Sequence, residues 1–336
     1  MDDGKLPADL LDRLLNTANT TDPRVLLGPR VGADAAVIDM GDTVLVAKSD
    51  PVTFAAERIG WYTVQVNAND IACLGATPKW FLATVLLPEG AEPELAEEIF
   101  NQITEACDGL GVALVGGHTE ITHGLTRAIV SGHMLGEAKK SEVVWPGGAL
   151  PGDALLLTRG IAIEGTALLA REAAGALRAG GMSDADIDAA AALLESPGIS
   201  VVRAAQIACS TGGIHAMHDP TEGGLATGLA ELASAASVGV ELNADAIHVL
   251  PETQLVCRAL KLEPLGLLAS GALLMAVEPG GVTNVQALLE QEGIDSHLIG
   301  TVTEASAGLK LASSSGLSLL PTFPRDELAR YMSQPN

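Results

Sequence analysis

Apolar positions in the first half of the chain repeat with two periods, one typical of strands and one typical of helices. Two short apolar runs between Ala35 and Asp50, joined by Met40, Gly41 and Asp42, predict a β-hairpin. Helical spacing from Arg58 to Leu74, closed by Gly75 with Pro78 beyond it, predicts a helix. The same patterns predict further strands and one more helix in this half, at Trp80–Leu87, Pro93–Gly109, Val112–Val115 and Arg127–Leu135.

The chain becomes polar and then rich in proline and glycine between Gly136 and Asp153, which predicts a domain boundary. A second unit begins with a strand at Ala154–Thr158 and continues with alanine-rich helices. Later strands are predicted near Ile214–Met217, Val238–Leu242, Ala272–Val277 and His297–Val302. Because strands and helices alternate, we expect an α/β (α+β) protein with domains at residues 1–148 and 149–336.

Composition narrows the classes of partner. Forty-two acidic residues against 19 basic ones give a formal charge of −23, which repels nucleic acid and anionic membrane surfaces alike. We therefore expect a small-molecule substrate. Bound divalent cations would offset the repulsion of an anionic ligand, although an acidic, soluble surface is an equally good explanation of the charge. The first residues are acidic and contain no apolar signal segment, so we expect a soluble, cytoplasmic protein.

The two commonest nucleotide-binding motifs are missing. The nearest match to a phosphate loop is GIAIEGTA at Gly160–Ala167, which has Thr166 and Ala167 where that motif needs lysine and a hydroxyl residue. Any phosphate binding must therefore use carboxylates that hold a metal ion, together with glycine-rich turns whose N–H groups face the ligand.

Three aspartates suit such a site. Asp34 and Asp50 lie at the ends of the predicted hairpin, where a turn or cap role is the alternative. Asp70 lies inside an apolar helix, where an unpaired carboxylate would be costly to bury. Asn67, three residues earlier, is on the same helix face, so the pair could present oxygen ligands to Mg²⁺ or belong to a polar surface stripe.

Two glycine-containing motifs follow predicted strands. GGHTE, Gly116–Glu120, comes after Val112–Val115, which would put His118 and Glu120 at the end of the strand, where ligands bind in open α/β sheets. HDPTEGGLA, His218–Ala226, has an acid ahead of a glycine pair that opens a helix. Helix capping by Asp219 and Glu222 is the alternative for this second motif.

Taken together, GADAAV, SDP, NDIACLGATP, GGHTE and HDPTEGGLA resemble the superfamily of aminoimidazole ribonucleotide (AIR) synthetase. That superfamily includes thiamine-monophosphate kinase, selenophosphate synthetase and the hydrogenase maturation protein HypE. The resemblance runs from about Val31 to Val277 and is greatest for the HypE branch, which shares the DAAVI, NDxAxxGA and DPTxGGLA forms.

The resemblance implies two domains, of which the first dimerises through a β-barrel, with ATP in a cleft and Mg²⁺ on its phosphates. It implies that Gly28–Gly32 closes over the triphosphate. Arg30 and Lys48 are nearby cations that could meet a phosphate, and a solvated surface role is the equal alternative. The expected metal ligands are Asp34, Asp50, Asp70 and Glu120. The expected catalytic residues are Asp70, Asp50 and His118. The expected ATP-binding residues are Gly32, Asp34, Asn67, Gly117, Asp219 and Gly223.

Departures from the family pattern leave the reaction open. HypE proteins end in a cysteine, whereas the last cysteine here is Cys257; selenophosphate synthetases need an early cysteine or selenocysteine, whereas the first here is Cys73. Thiamine-monophosphate kinases usually pair two aspartates where this chain has Ala33 and Asp34. His118 replaces a metal-binding acid, so either Glu120 compensates or fewer ions bind.

Three hypotheses follow. The first is a HypE-like enzyme that uses ATP to phosphorylate a carbonyl, amide or phosphate oxygen of a small substrate, with catalysis by metal ions and in-line placement. The second is a small-molecule kinase similar to thiamine-monophosphate kinase. The third is a nucleotide-binding protein with little turnover.

Overall fold

The computed structural model describes residues 6, 8–18, 21–30, 32–52 and 57–333. The chain divides into two compact units. The N-terminal unit comprises Asn16–Val143, and the C-terminal unit comprises Val144 onwards together with the residues up to Leu15, which include helix α1 (Ala8–Leu15). The units thus divide a few residues before the boundary expected at 148, which stays a prediction for the functional domains. No helix in the described ranges is long and apolar enough to cross a membrane.

Six strands form the sheet of the N-terminal unit in its described part, in the order β1-β2-β3-β6-β4-β5. The predicted hairpin is present, with a turn at Gly41 whose φ of 102° favours glycine. The strands are β1 (Val25–Leu27), β2 (Ala36–Asp39), β3 (Thr43–Val52), β4 (Thr77–Pro88), β5 (Ala113–Thr122) and β6 (Ile129–Lys139).

Helices α2 (Ile59–Cys73) and α3 (Pro93–Leu110) lie in the same unit. Helix α2 is buried on nearly all sides, and two glycines allow its close packing. A Cβ at Gly60 would overlap the backbone of α3, and one at Gly132 on β6 would overlap the side chain of Asn67. The predicted helix over Arg58–Leu74 is therefore confirmed, and it lies between α3 and the sheet.

The C-terminal unit holds a seven-stranded sheet in its described part, in the order β13-β12-β9-β11-β7-β10-β8. Its pairings are antiparallel except for β9 with β12. The strands are β7 (Ala154–Thr158), β8 (Ile214–His218), β9 (Val238–Asn243), β10 (Leu274–Val277), β11 (Ser296–Glu304), β12 (Leu309–Ser313) and β13 (Gly316–Leu319).

Every residue of β7 and β10 is buried, so both faces of the sheet are covered at its centre. Leu155, Leu157 and Leu274 belong to the resulting apolar core. Besides α1, the α-helices described in this unit are α4 (Ile163–Glu172), α5 (Ala174–Ala179), α6 (Asp184–Ala192), α7 (Val202–Thr211), α8 (Gly224–Ala236), α9 (Pro251–Leu260), α10 (Val282–Gln291) and α11 (Glu327–Met332). The α/β class with two sheet-containing domains is confirmed.

Candidate active site

One face of strand β3 changes from apolar to charged along its length. Val44 and Val46 are fully buried on this face, and Lys48 and Asp50 follow at the same two-residue interval. Helix α2 covers this end of the strand, because Asn67 donates a hydrogen bond from Nδ2 to the backbone oxygen of Asp50 at 3.1 Å. Alternation in the strand therefore aims two charged side chains at a buried helix.

Asp70 on α2 meets this charged end of β3. Lys48 Nζ lies 2.9 Å from Asp70 Oδ2 and 3.5 Å from Asp50 Oδ2. The Asp70 side chain is 8% exposed, that of Lys48 is 16% exposed, and that of Asp50 is 43% exposed. The partner that a carboxylate inside an apolar helix requires is thus Lys48, and the structure brings Asp50 and Asp70 together.

Asp34 acts on the same lysine. It lies two residues before β2, whose Ala36 pairs with Ala47 on β3. Burial lowers the pKa of Lys48, but the charges of Asp70, Asp50 and Asp34 outweigh it, so the net shift of the Lys48 pKa is upward. Lys48 is therefore firmly protonated. One cation faces three carboxylates, which leaves an excess of negative charge where a divalent ion would be stabilised.

Asn67 adds a neutral oxygen beside these carboxylates. Its Nδ2 donates to the backbone oxygens of Asp50 and Thr63, at 3.1 and 2.8 Å. Its Oδ1 is buried and accepts no hydrogen bond from the described residues. Carboxylate and amide oxygens are the ligands that Mg²⁺ prefers, so the donor set of this cluster fits magnesium.

The turn before β2 contains Gly32, whose φ of 79° favours glycine. The backbone N–H of Ala33 closes this turn by donating to the oxygen of Arg30 at 3.2 Å. Part of the glycine-rich stretch predicted to cover a triphosphate, Gly28–Gly32, can therefore be located as a turn at the entrance to the hairpin. Val31, within the same stretch, lies outside the described residues.

GGHTE lies within a strand and not after one. Strand β5 continues through the glycine pair to Thr122, so the expected strand end at Val115 is wrong. Gly117 is needed for packing, because a Cβ there would overlap the carbonyl oxygen of Ala83 on β4. His118 Nε2 and Glu120 Oε2 are 3.0 Å apart on this edge strand, and both side chains are more than half exposed.

The strand register separates this pair from the Lys48 cluster within one chain. Asp50 aligns with Gly117 through two intervening strands, β6 and β4. Neighbouring strands lie about 4.8 Å apart, so about 14 Å separates these two backbone positions. The structure therefore does not bring His118 and Glu120 to Asp50 and Asp70 in the described chain.

HDPTEGGLA forms the turn that leads from β8 into α8. Asp219 is buried, and Gly223 and Gly224 both have positive φ, 81° and 66°. The sequence offered Asp219 and Glu222 as capping residues for this helix. The N–H of Gly223 donates to Asp326 Oδ2 at 2.6 Å. The acceptor of this N–H therefore comes from the other end of the C-terminal unit.

Glu164 and Asp326 are acidic residues that sequence reasoning missed. Glu164 is 7% exposed at the start of α4, and burial raises its pKa to about 7, with the charges of Glu222, Asp326 and Asp219 adding to the rise. Burial likewise raises the pKa of Asp326 to about 6, although its backbone hydrogen bonds oppose the shift. A glutamate among apolar residues in GIAIEGTA was a signal that could have identified Glu164.

The chain matches two family descriptions. "AIR synthase related protein, N-terminal domain" matches residues 32–138, and "AIR synthase related protein, C-terminal domain" matches residues 151–310. The two matches together span most of the chain. The chain belongs to the AIR synthase-related family. The resemblance inferred from the motifs is thereby confirmed, and the Lys48 cluster lies within the N-terminal match.

Relatives within the AIR synthase-related family are similar over most of their length. A putative hydrogenase expression/formation protein of Methanocaldococcus jannaschii is 27% identical, over 97% of this chain and 96% of the relative. The carbamoyl dehydratase HypE of Azotobacter vinelandii is 30% identical, over 75% of this chain and 72% of the relative. The crystal structure of a HypE in complex with ATP superposes with a TM-score of 0.72 at 23% identity, over 94% and 91%. The predicted similarity to HypE is confirmed, and the superposition shows a shared fold.

Proposed function

We propose that the Lys48 cluster, consisting of Lys48, Asp34, Asp50, Asp70 and Asn67, binds the magnesium-bound phosphates of ATP. The chain is an ATP-dependent phosphoryl-transfer enzyme by its family membership. The observation that carries the proposal is the buried Lys48–Asp70 pair at 2.9 Å with Asp50 beside it. The relatives named HypE, one of them bound to ATP, support ATP as the nucleotide.

Each member of the cluster has a role that follows from its chemistry. Asp34, Asp50 and Asp70 would hold Mg²⁺, and the uncommitted Oδ1 of Asn67 would add a neutral ligand. Bound Mg²⁺ would neutralise the charge that develops on the transferred group. Lys48 holds the carboxylates of Asp50 and Asp70 in place and would offer a cation to a phosphate oxygen.

Three further predicted residues, Gly32, Asp219 and Gly223, lie in glycine turns that would contact the nucleotide. We assign Gly32 to the turn that approaches the triphosphate, and Asp219 and Gly223 to a second turn whose backbone comes close to the ligand. The positive φ values of both glycines support this assignment, because a side chain there would strain the turn. Placement of the acceptor in line with the leaving group then accounts for most of the catalysis that phosphoryl transfer requires.

We propose a carbonyl or amide oxygen of a small substrate as the acceptor. Phosphorylation of such an oxygen gives an ester that later loses phosphate, a sequence that amounts to removal of water and matches the name carbamoyl dehydratase of the relatives. Cys257 does not suit a carrier role, because the residue is buried and burial raises the pKa of its thiol to about 12.

We also propose a homodimer built on strand β5. This edge strand exposes Leu114, Val115 and Ile121, which are 38%, 53% and 63% exposed. An apolar, unpaired edge is a template for pairing with a second strand. The proposed dimer is tested by sedimentation: V115D should shift it toward the monomer, whereas an unshifted dimer would exclude this edge.

The test of the proposed activity is ATP hydrolysis with and without Mg²⁺ in the presence of candidate acceptors. Thermal shift with ATP, Mg²⁺ and either a carbamoyl compound, thiamine monophosphate or formylglycinamidine ribonucleotide would select the acceptor. Magnesium-dependent turnover with a carbamoyl compound is expected. Turnover with thiamine monophosphate alone would replace the proposal by the kinase alternative, and ATP binding without any turnover would replace it by the binding-protein alternative.

A further inference from the structure

The segment from Leu320 to Ser333 is fastened to the HDPTEGGLA turn by one carboxylate. Asp326 Oδ2 accepts a hydrogen bond from the backbone N–H of Gly223 at 2.6 Å. Asp326 Oδ1 accepts another from the N–H of Leu328 at 2.7 Å. Both oxygens are therefore committed, one to the turn and one to the first turn of α11. This single side chain joins two segments that are 103 residues apart in sequence.

Packing of backbone and ring reinforces this link. A Cβ at Gly224 would overlap the carbonyl oxygen of Leu265, and a Cβ at Gly266 would overlap the ring of Phe323. The glycine turn therefore lies against residues 265–266, which lie against Phe323 in turn. The carboxylate of Asp326 thus holds the turn directly, and the ring of Phe323 packs against the segment on which the turn rests.

Helix α11 is itself anchored at its first residue. Glu327 is buried, and its Oε2 accepts the N–H of Glu263 at 3.0 Å. Arg330 forms an ion pair with Glu327 at 2.6 Å and donates to the backbone oxygen of Lys261 at 3.2 Å. Because these bonds fix α11 to residues 261–263, they also fix the position of Asp326 beside Gly223.

The side-chain cap of α8 is thus supplied from outside the motif. Gly223 precedes the helix and has no side chain with which to cap it, and its positive φ of 81° favours glycine. A capping carboxylate stabilises the exposed N–H groups of a helix start and fixes the direction in which they point. Without Asp326 the Gly223–Gly224 pair would have the conformational freedom typical of consecutive glycines.

We infer that Asp326 is a positioning residue that sets the conformation of the Gly223–Gly224 turn for nucleotide binding. The inference rests on the proposed function, in which Asp219 and Gly223 contact the nucleotide. Asp326 acts through the backbone of Gly223 and needs no contact with ATP. Its loss should weaken nucleotide binding while leaving the carboxylates of the Lys48 cluster unchanged.

The test compares D326A with D326N and with D186A. Asp186 is the matched control, because it forms a capping box with Ser183 on α6 of the same unit, with bonds of 3.2 and 3.3 Å, and does not touch the turn. Two readouts are needed: hydrogen exchange of the amides at residues 223–226 without nucleotide, and the Kd for Mg-ATP.

D326A should accelerate exchange at residues 223–226 and raise the Kd for Mg-ATP about tenfold, on the scale of a lost helix cap. D326N keeps one acceptor oxygen and so one of the two hydrogen bonds, and it should give values of both properties between those of D326A and the wild type. D186A should change neither. The KM for ATP should rise more than kcat falls, because the turn affects binding of the nucleotide before it affects the chemistry.

Two outcomes would overturn the inference and are distinguishable from each other. A wild-type chain that binds no Mg-ATP would remove the proposed function and this inference with it. Normal wild-type binding, with D326A within about twofold of D186A in Kd and in exchange, would remove the inference alone and leave the proposed function standing.

Discussion

Carboxyl groups are buried in both units, but different interactions make their burial possible. In the N-terminal unit, Asp70 lies 2.9 Å from a lysine that is itself nearly buried. In the C-terminal unit, burial raises the pKa of Glu164 to about 7, and the neighbouring charges that act on it are acidic. The first unit keeps its carboxylate ionised by a counter-charge, whereas the second allows its carboxyl group to hold a proton.

This difference shows which group suits which task. A carboxylate that stays ionised near neutral pH can ligate Mg²⁺ at once, and an excess of such groups around one lysine attracts the ion. A carboxyl group that is protonated near neutral pH is a neutral hydrogen-bonding group and a weak metal ligand until it loses the proton. The comparison therefore favours the Lys48 cluster as the primary metal centre.

The largest expected effect comes from D70N. The substitution preserves shape but removes the charge that pairs with Lys48 and would bind Mg²⁺, so magnesium-dependent turnover should fall by about 100-fold or more. Asp50 and Asp34 remain near Lys48, so the chain should stay folded. Steady-state ATP hydrolysis over a magnesium titration measures the loss, and circular dichroism checks the fold. An unchanged magnesium dependence would remove Asp70 from the site.

The second prediction concerns the pH dependence of stability. The pKa of Glu164 is higher in the folded chain, about 7, than its ordinary value of 4.5. The folded state therefore binds the Glu164 proton more tightly than the unfolded state does. The resulting stabilisation of the fold is complete below about pH 4.5 and is lost as pH rises through about 7. The loss is on the order of 3 kcal/mol.

E164Q provides the matching variant, because glutamine is neutral at every pH. Urea unfolding without nucleotide or metal, repeated from pH 5 to pH 8, should show wild-type stability falling relative to E164Q as the pH rises. Parallel curves for the two proteins would mean that Glu164 titrates normally, and the contrast between the units would then disappear.

Sequence patterns located the members of the candidate site but not their contacts. The motifs put Asp50 at the end of the predicted hairpin with Lys48 nearby, and helical spacing put Asn67 and Asp70 on one face of a helix. Gly132 on β6, which pairs with Asp50 of β3, lets Asn67 of α2 approach the sheet closely, and this contact is visible only in three dimensions. The ion pair between Lys48 and Asp70 could therefore not be deduced from the sequence.

Two other features show why local patterns fail. A glycine pair usually interrupts a strand, yet β5 continues through it because Gly117 allows close approach to Ala83. Asp326 is 103 residues from Gly223, and no local signal links them. The family resemblance correctly predicted the class of fold, since it depends on motifs spread over most of the chain, whereas individual contacts depend on packing.

The third prediction tests the packing that positions Asp70. G132A would place a methyl group against Asn67 and Thr63 of α2, which should cost about 1–3 kcal/mol of folding free energy and weaken Mg-ATP binding as the helix shifts. G109A is the control, because Gly109 on α3 has open space around its Cα. Denaturant unfolding and the Kd for Mg-ATP measure both effects. Equal stability of the two variants would show that the helix has room to move.

The smallest expected effect comes from H118Q on strand β5. The pair of His118 with Glu120 is exposed to solvent, where such pairs contribute little to stability. Denaturant unfolding should therefore barely distinguish H118Q from the wild type. The contrast with D70N is informative because both residues were predicted to be catalytic, and only Asp70 lies in the Lys48 cluster of one chain. A large loss of turnover in H118Q at unchanged stability would show that His118 takes part in the reaction. Because about 14 Å separates its strand position from Asp50 within one chain, His118 would then have to reach the site of a second chain, and an assembly of two chains would be tested next.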